Sequence, residues 1–141
     1  MAEETKQKLI KAAFEAQKSA YAPYSNFQVG AALLTKDGRI YQGCNIENAS
    51  YGACCCAERT AFFKAVSEGE REFRAIAIVG KGKDAPQFEY CAPCGICRQV
   101  MAEFCNPETF EIILPKSQED YQKYTLSELL PLSFTGKDLE H

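Results

Sequence analysis

The stretch Cys54-Cys55-Cys56-Ala57-Glu58-Arg59-Thr60-Ala61, CCCAERTA, decides how the rest of the chain is read. Three thiols stand directly before a carboxylate, and the residues that follow, Phe62, Phe63, Ala65 and Val66, have the apolar spacing of a helix that starts near Cys55 or Cys56 and stops at Gly69. A helix start with sulfur and a carboxylate inside one turn suits chemistry better than packing.

Upstream of it, the polar loop 48–52 follows a hairpin: QVGAALLT over 28–35 and IYQGCNIE over 40–47 read as strands, joined by Lys36-Asp37-Gly38-Arg39 with its Asp-Gly turn. Before the hairpin, Leu9, Ile10, Ala13, Phe14, Ala16 and Ala20 predict a helix over about 3–21, which Pro23 stops. Downstream, FRAIAIVG over 73–80 is a buried strand and 81–90 a Gly- and Lys-containing loop. Pro93 suits the start of a helix over about 94–104, FEIILP over 110–115 is another strand, and 126–130 is a short helix before Pro131. This order predicts an α/β fold with helices on both faces of a mixed sheet.

The linkers are too short for a second domain, so residues 1–138 are read as one unit. Leu139-Glu140-His141 resembles the start of a purification tag, and His141 is the only histidine among the 141 residues. A net charge of −3 and a pI near 5.3 leave no basic stripe for a phosphate backbone, so a nucleic-acid polymer is not the expected partner and a small molecule is. The N-terminal residues carry both signs of charge and lead into no long apolar run, so neither a signal peptide nor a membrane span is expected and the expected address is the cytoplasm. In a reducing compartment, eight cysteines indicate metal binding or catalysis rather than disulfides.

The second half of the signal is Pro93-Cys94-Gly95-Ile96-Cys97. At a helix start, Cys94 and Cys97 lie on one side of a single turn and can reach one tetrahedral ion, with Cys56 offering a third sulfur if the two helix starts face each other. Three protein ligands leave zinc an open position for water, whose pKa the ion lowers toward neutral. Glu58 is placed to move that water's proton. Three thiolates overcompensate the ion, and the sequence offers the two helix N-termini and either Arg59 or Arg98 as counter-charge. A closed structural site would recruit a fourth sulfur from Cys54, Cys55 or especially Cys91. An iron–sulfur cluster lacks a cysteine followed by proline just after Cys97. Cys44, Cys54, Cys55, Cys91 and Cys105 otherwise read as small apolar groups or spare thiols, and Phe27, Tyr51 and Phe134 as aromatics that could simply pack.

Across nearly its whole length the chain resembles the small, all-cysteine, homotetrameric cytidine deaminases. The resemblance rests on Ala22-Pro23-Tyr24-Ser25-Asn26-Phe27-Gln28-Val29-Gly30-Ala31-Ala32, Gly43-Cys44-Asn45-Ile46-Glu47-Asn48-Ala49, Cys56-Ala57-Glu58-Arg59-Thr60-Ala61, Pro93-Cys94-Gly95-Ile96-Cys97-Arg98-Gln99 and Leu129-Leu130-Pro131-Leu132-Ser133-Phe134. It implies a three-layer α/β/α sandwich around a mixed five-stranded sheet, one Zn2+ per subunit on Cys56, Cys94 and Cys97, and Glu58 as catalytic acid and base. It implies that Asn45 and Glu47 hold the ribose 3′-hydroxyl, and that Phe27 packs on the nucleoside. Backbone groups around Ala57 and Cys94 would read the base, Tyr51 and Phe134 would reach a pocket at a subunit boundary, and Arg59 would offset thiolate charge. The implied reaction is hydrolytic deamination of cytidine and deoxycytidine; a related substrate such as blasticidin S and a closed zinc module are the competing readings. Relatives carry a single cysteine where this chain has Cys54-Cys55-Cys56, and only Cys56 keeps register with Ala57 and Glu58.

Overall fold

Period-two alternation in the central strands sorts their side chains to two faces, and each face finds its own helices. The computed structural model describes residues 1–140; the tag-like segment ends on His141, which lies outside the described residues. Five strands, β1 (Phe27–Thr35), β2 (Ile40–Cys44), β3 (Phe73–Gly82), β4 (Glu111–Pro115) and β5 (Tyr121–Thr125), form one sheet in the order β2-β1-β3-β4-β5. All neighbouring pairs are antiparallel except β3 and β4. The register Ala32↔Ala77 and Leu33↔Ile76 places the two longest strands at the centre.

Ala32 and Leu34 of β1, with Ala75, Ala77 and Val79 of β3, bury against Leu9, Ile10 and Ala13 of α1 (Glu3–Gln17). Ala31, Leu33, Ile76 and Ile78 point the other way and bury with Phe62 of α2 (Ala57–Ser67), Met101 of α3 (Gly95–Phe104) and Leu126 of α4 (Leu126–Leu129). The result is the expected three-layer sandwich. Phe62 is fully buried and packs edge-on against Phe73, with ring centroids 5.2 Å apart.

Several boundaries differ from the sequence reading. Helix α1 ends at Gln17 rather than near Tyr21, because Tyr21 N–H donates to Asn45 O and Tyr21 O accepts from Glu47 N–H, both at 2.9 Å, so the chain is drawn into an extended bridge with Ile46. Strand β2 correspondingly stops at Cys44, and Asn45 and Glu47 lie off the strand, flanking an Ile46 that bridges to both Tyr21 and Cys55. The residue-by-residue reading contained no β5; YQKYT is a half-exposed edge strand without the apolar run that marks the others. A short 3-10 turn at Tyr51–Ala53 overlaps the end of the segment 48–52 read as a polar loop, and a second, at Gly136–Leu139, had no counterpart in the sequence reading.

The position of α2 depends on a missing side chain. A β-carbon at Gly43 would lie 2.4 Å from Ala57 O and 2.6 Å from Ala61 N, backbone atoms in the first turns of α2. Neither can move without moving the helix. Gly43→Ala is therefore expected to destabilise the fold by about 1–3 kcal/mol or more, read as a lower urea midpoint, whereas Gly52→Ala, with no atom within 4 Å of the added carbon, leaves the midpoint near wild type.

Candidate active site

Two helix starts meet at one end of the sheet. Cys56 is the N-cap of α2 and Cys94 the N-cap of α3, each with extended backbone, and Cys97 sits in the first turn of α3. Cys56 Sγ is 3.8 Å from Cys94 Sγ, Cys94 Sγ is 3.4 Å from Cys97 Sγ, and all three sulfurs lie within 4.8 Å of one another. Zinc–sulfur bonds of about 2.3 Å in a tetrahedron separate two sulfurs by about 3.8 Å. The trio fits a zinc ion. Among the described residues it is the sole cluster of three or more potential ligands at such distances.

No fourth cysteine closes the set. Cys54 Sγ accepts from Asn48 N–H at 3.3 Å, Cys55 Sγ accepts from the Thr60 hydroxyl at 3.6 Å, and Cys91 Sγ is turned toward Gly80, lying 2.7 Å from where a β-carbon there would stand. Burial pushes the Cys91 thiol up to about 12, the protonated state of a packed sulfur. Cys97 is fully buried and Cys94 exposed, so the cluster opens to one side.

Glu58 enters from the first turn of α2 and is only 4% exposed. Burial pushes its carboxyl up from 4.5 to about 7, so a proton can be both taken and released near neutral pH. Hydrogen bonding with Cys97 first, and then with Arg59, brings the Cys56 thiol down to about 5, in the range of a ready thiolate, while the same sharing raises Cys97. Arg59 Nη2 lies 3.4 Å from Cys54 O and 3.5 Å from Cys56 Sγ, and its buried Nε has no partner. Arg98, the other candidate counter-charge, does something else: its Nε donates to Pro93 O at 2.8 Å and its Nη1 to Leu129 O at 2.7 Å, fastening the loop before Cys94 to α4. The α2 and α3 N-termini add partial positive charge at the sulfurs.

The remaining predicted residues are placed as follows. Asn45 Nδ2 donates to Phe27 O at 2.8 Å and its Oδ1 accepts from Val29 N–H at 2.9 Å, so the carboxamide is fixed by the start of β1. Glu47 accepts from the Tyr24 and Ser25 amides, both at 3.0 Å, and from the Ser25 hydroxyl. Asn45 and Glu47, both read as part of the strand over 40–47, thus converge instead on the segment 24–29 from beyond the end of β2. The Phe27 ring lies over Gly80, where a β-carbon would stand 2.8 Å from its Cε1. Ala57 is buried at the start of α2, while Tyr51 and Phe134 are exposed, the ring of Tyr51 6.2 Å from that of Tyr24 and the carbonyl of Phe134 held by Gln99 at 2.7 Å. Ser25 went unassigned in the sequence reading, because a single serine in a loop carries no periodic or spacing signal.

A family model described as the cytidine and deoxycytidylate deaminase zinc-binding region matches residues 3–112. A cytidine deaminase of Halalkalibacterium halodurans is 55% identical over 134 residues, covering 95% of this chain and 97% of its own, and one of Sporosarcina psychrophila is 50% identical over 135 residues, covering 96% and 95%. The crystal structure of a cytidine deaminase from Burkholderia pseudomallei superposes with a TM-score of 0.81 at 53% identity, covering 90% of this chain and 97% of that one. With the three sulfurs and the buried carboxyl inside the matched region, the chain belongs to the cytidine and deoxycytidylate deaminase family.

Proposed function

We propose that residues 1–138 form one catalytic domain that hydrolyses the exocyclic amine of cytidine and deoxycytidine, giving the uridine product and ammonia in pyrimidine salvage. The observation that carries this is the open three-sulfur cluster with a buried carboxyl two residues from one ligand. The similar Halalkalibacterium, Sporosarcina and Burkholderia proteins, named as cytidine deaminases, support the choice of substrate.

Cys56, Cys94 and Cys97 would hold one zinc per subunit. Bound there, the ion supplies Lewis acidity that makes water a nucleophile near neutral pH. Glu58 carries the protons. Its carboxylate takes one from the attacking water and delivers it to N3 of the ring as the C4–O bond forms; it then moves the second to the amine nitrogen as the C4–N bond breaks and ammonia leaves. Arg59 offsets thiolate charge, and backbone groups at Ala57 and Cys94 read the base. Asn45 and Glu47 take a ribose hydroxyl, with Phe27 against the nucleoside. The exposed Tyr51 and Phe134 extend into the site of a neighbouring copy in a cytoplasmic homotetramer. No helix among the described residues is long and apolar enough to cross a membrane.

A panel of cytidine, deoxycytidine, cytosine and blasticidin S tests the assignment with zinc-loaded protein. The first two are expected to turn over and cytosine, which lacks the sugar, to be poor. Turnover of blasticidin S alone would move the substrate to the antibiotic class, and a folded, zinc-loaded chain inert to all four would point to a closed structural site.

A further inference from the structure

The Glu47 carboxylate is held more completely than sugar binding alone requires. Its Oε1 accepts two amide hydrogens, from Tyr24 and Ser25 at 3.0 Å each, which occupies both lone-pair directions of that oxygen. Its Oε2 accepts the hydroxyl proton of Ser25 and keeps one direction free. Ser25 Oγ in turn accepts from the amide of Phe27 at 3.0 Å. One hydroxyl therefore links the carboxylate assigned to the sugar with the backbone of the aromatic residue assigned to the nucleoside.

The local backbone is built to present this hydroxyl. Asn26 adopts a left-handed φ of 57°, which turns the chain between Ser25 and Phe27. That turn is secured on both sides, Asn26 N–H donating to Ala22 O at 3.0 Å and Asn26 O accepting from Lys83 N–H at 2.7 Å. Tyr24, Ser25 and Glu47 line, with Tyr51 and Cys54, a cavity of about 290 Å³. Hydrogen bonding from Ser25 first, then from the Ser25 and Tyr24 amides, holds the Glu47 carboxyl below its usual range, so it meets a ligand as an acceptor.

We propose that Ser25 is a positioning residue for sugar recognition: it fixes the Glu47 carboxylate so that one acceptor direction remains for one ribose hydroxyl. Without the Ser25 hydroxyl, Oε2 has two free directions and the carboxylate can pivot about Oε1, so part of the binding energy of a sugar hydroxyl goes into ordering Glu47. The inference rests on the assignment of Glu47 to the 3′-hydroxyl, and the experiment separates the two.

The quantity to measure is the ratio of kcat/KM for cytidine to kcat/KM for 3′-deoxycytidine, in wild type, Ser25→Ala, Ser25→Thr and Glu47→Ala. Partial misfolding or metal loss scales both substrates alike and leaves the ratio alone. Ser25→Ala is expected to lower the ratio about tenfold, the scale of one hydrogen bond to a charged group, with most of the change in KM for cytidine, and Ser25→Thr to restore most of it. An unchanged ratio in Ser25→Ala beside a collapsed ratio in Glu47→Ala would overturn the role of Ser25 while keeping the sugar assignment. An unchanged ratio in both would overturn the sugar assignment and the inference with it.

Discussion

Glu58→Gln retains one zinc per chain and loses turnover, with kcat for cytidine falling by about 10²–10⁴-fold or more, the contribution expected of a positioned general acid–base. Glutamine keeps the volume and the polar tip of a side chain that is 4% exposed, so the helix start and the neighbouring sulfurs are undisturbed. What disappears is a group that can take a proton from water and give it to the ring and the amine. KM changes little, because the carboxyl acts on reacting atoms more than on the bound ground state. The same variant carries a stability signature in the metal-free chain. Burial raises the Glu58 carboxyl above its ordinary value of 4.5, to about 7, so its favourable contribution is complete below pH 4.5 and is lost as pH rises through 7. The loss amounts to about 3 kcal/mol. Urea midpoints of wild type and Glu58→Gln measured between pH 5 and pH 8 without metal should therefore converge on the acid side and favour the glutamine variant on the alkaline side.

Cys97→Ser is expected to abolish zinc binding, activity and the thermal stabilisation that added zinc gives the wild type. Cys97 is fully buried among Met101 and the α2 side of the core while its sulfur faces the other two ligands, so no water can replace it without opening the packing. With free zinc at a thousandfold excess over its Kd, linkage gives the wild type about 4 kcal/mol, and a chain without the site gains none of it. Cys55→Ser and Cys91→Ser are the controls. Both thiols lie outside the trio, Cys55 against Thr60 and Cys91 against Gly80, so both variants should bind one zinc and respond to it as wild type does. Metal content after gel filtration and melting curves with and without added zinc read both quantities. Loss of zinc from Cys91→Ser would instead indicate a closed four-cysteine site.

The parts of this fold that were legible in the sequence are those where one local pattern dominates. The apolar spacing of Leu9, Ile10 and Ala13, the hairpin at Lys36-Asp37-Gly38-Arg39 and the run from Phe73 to Gly80 each matched the observed elements closely. The ligand trio was legible for the same reason, since Cys56, Cys94 and Cys97 all stand at helix starts that sequence can place. Tertiary contact decided the rest. Strand β5 is half exposed and pairs only with β4, so YQKYT carries little hydrophobic signal of its own. The end of α1 and the end of β2 are both set by the exchange between Tyr21 and the segment Asn45 to Glu47, more than 20 residues away in the chain. Spacing alone offered Arg59 and Arg98 equally as counter-charges and only the family resemblance singled out Arg59; their partners separate them, one at the Cys56 sulfur and the other on the carbonyls of Pro93 and Leu129. The hold of Ser25 on Glu47 is of the same kind, a contact across the site between residues 22 positions apart.

The most direct test of the central claim is a titration of the metal-free protein with zinc, following the loss of cytidine absorbance in the ultraviolet after each addition. Activity should rise in proportion to zinc and level off at one equivalent per chain. Full turnover in the absence of metal, or a protein that binds its single equivalent and leaves cytidine unchanged, would contradict it.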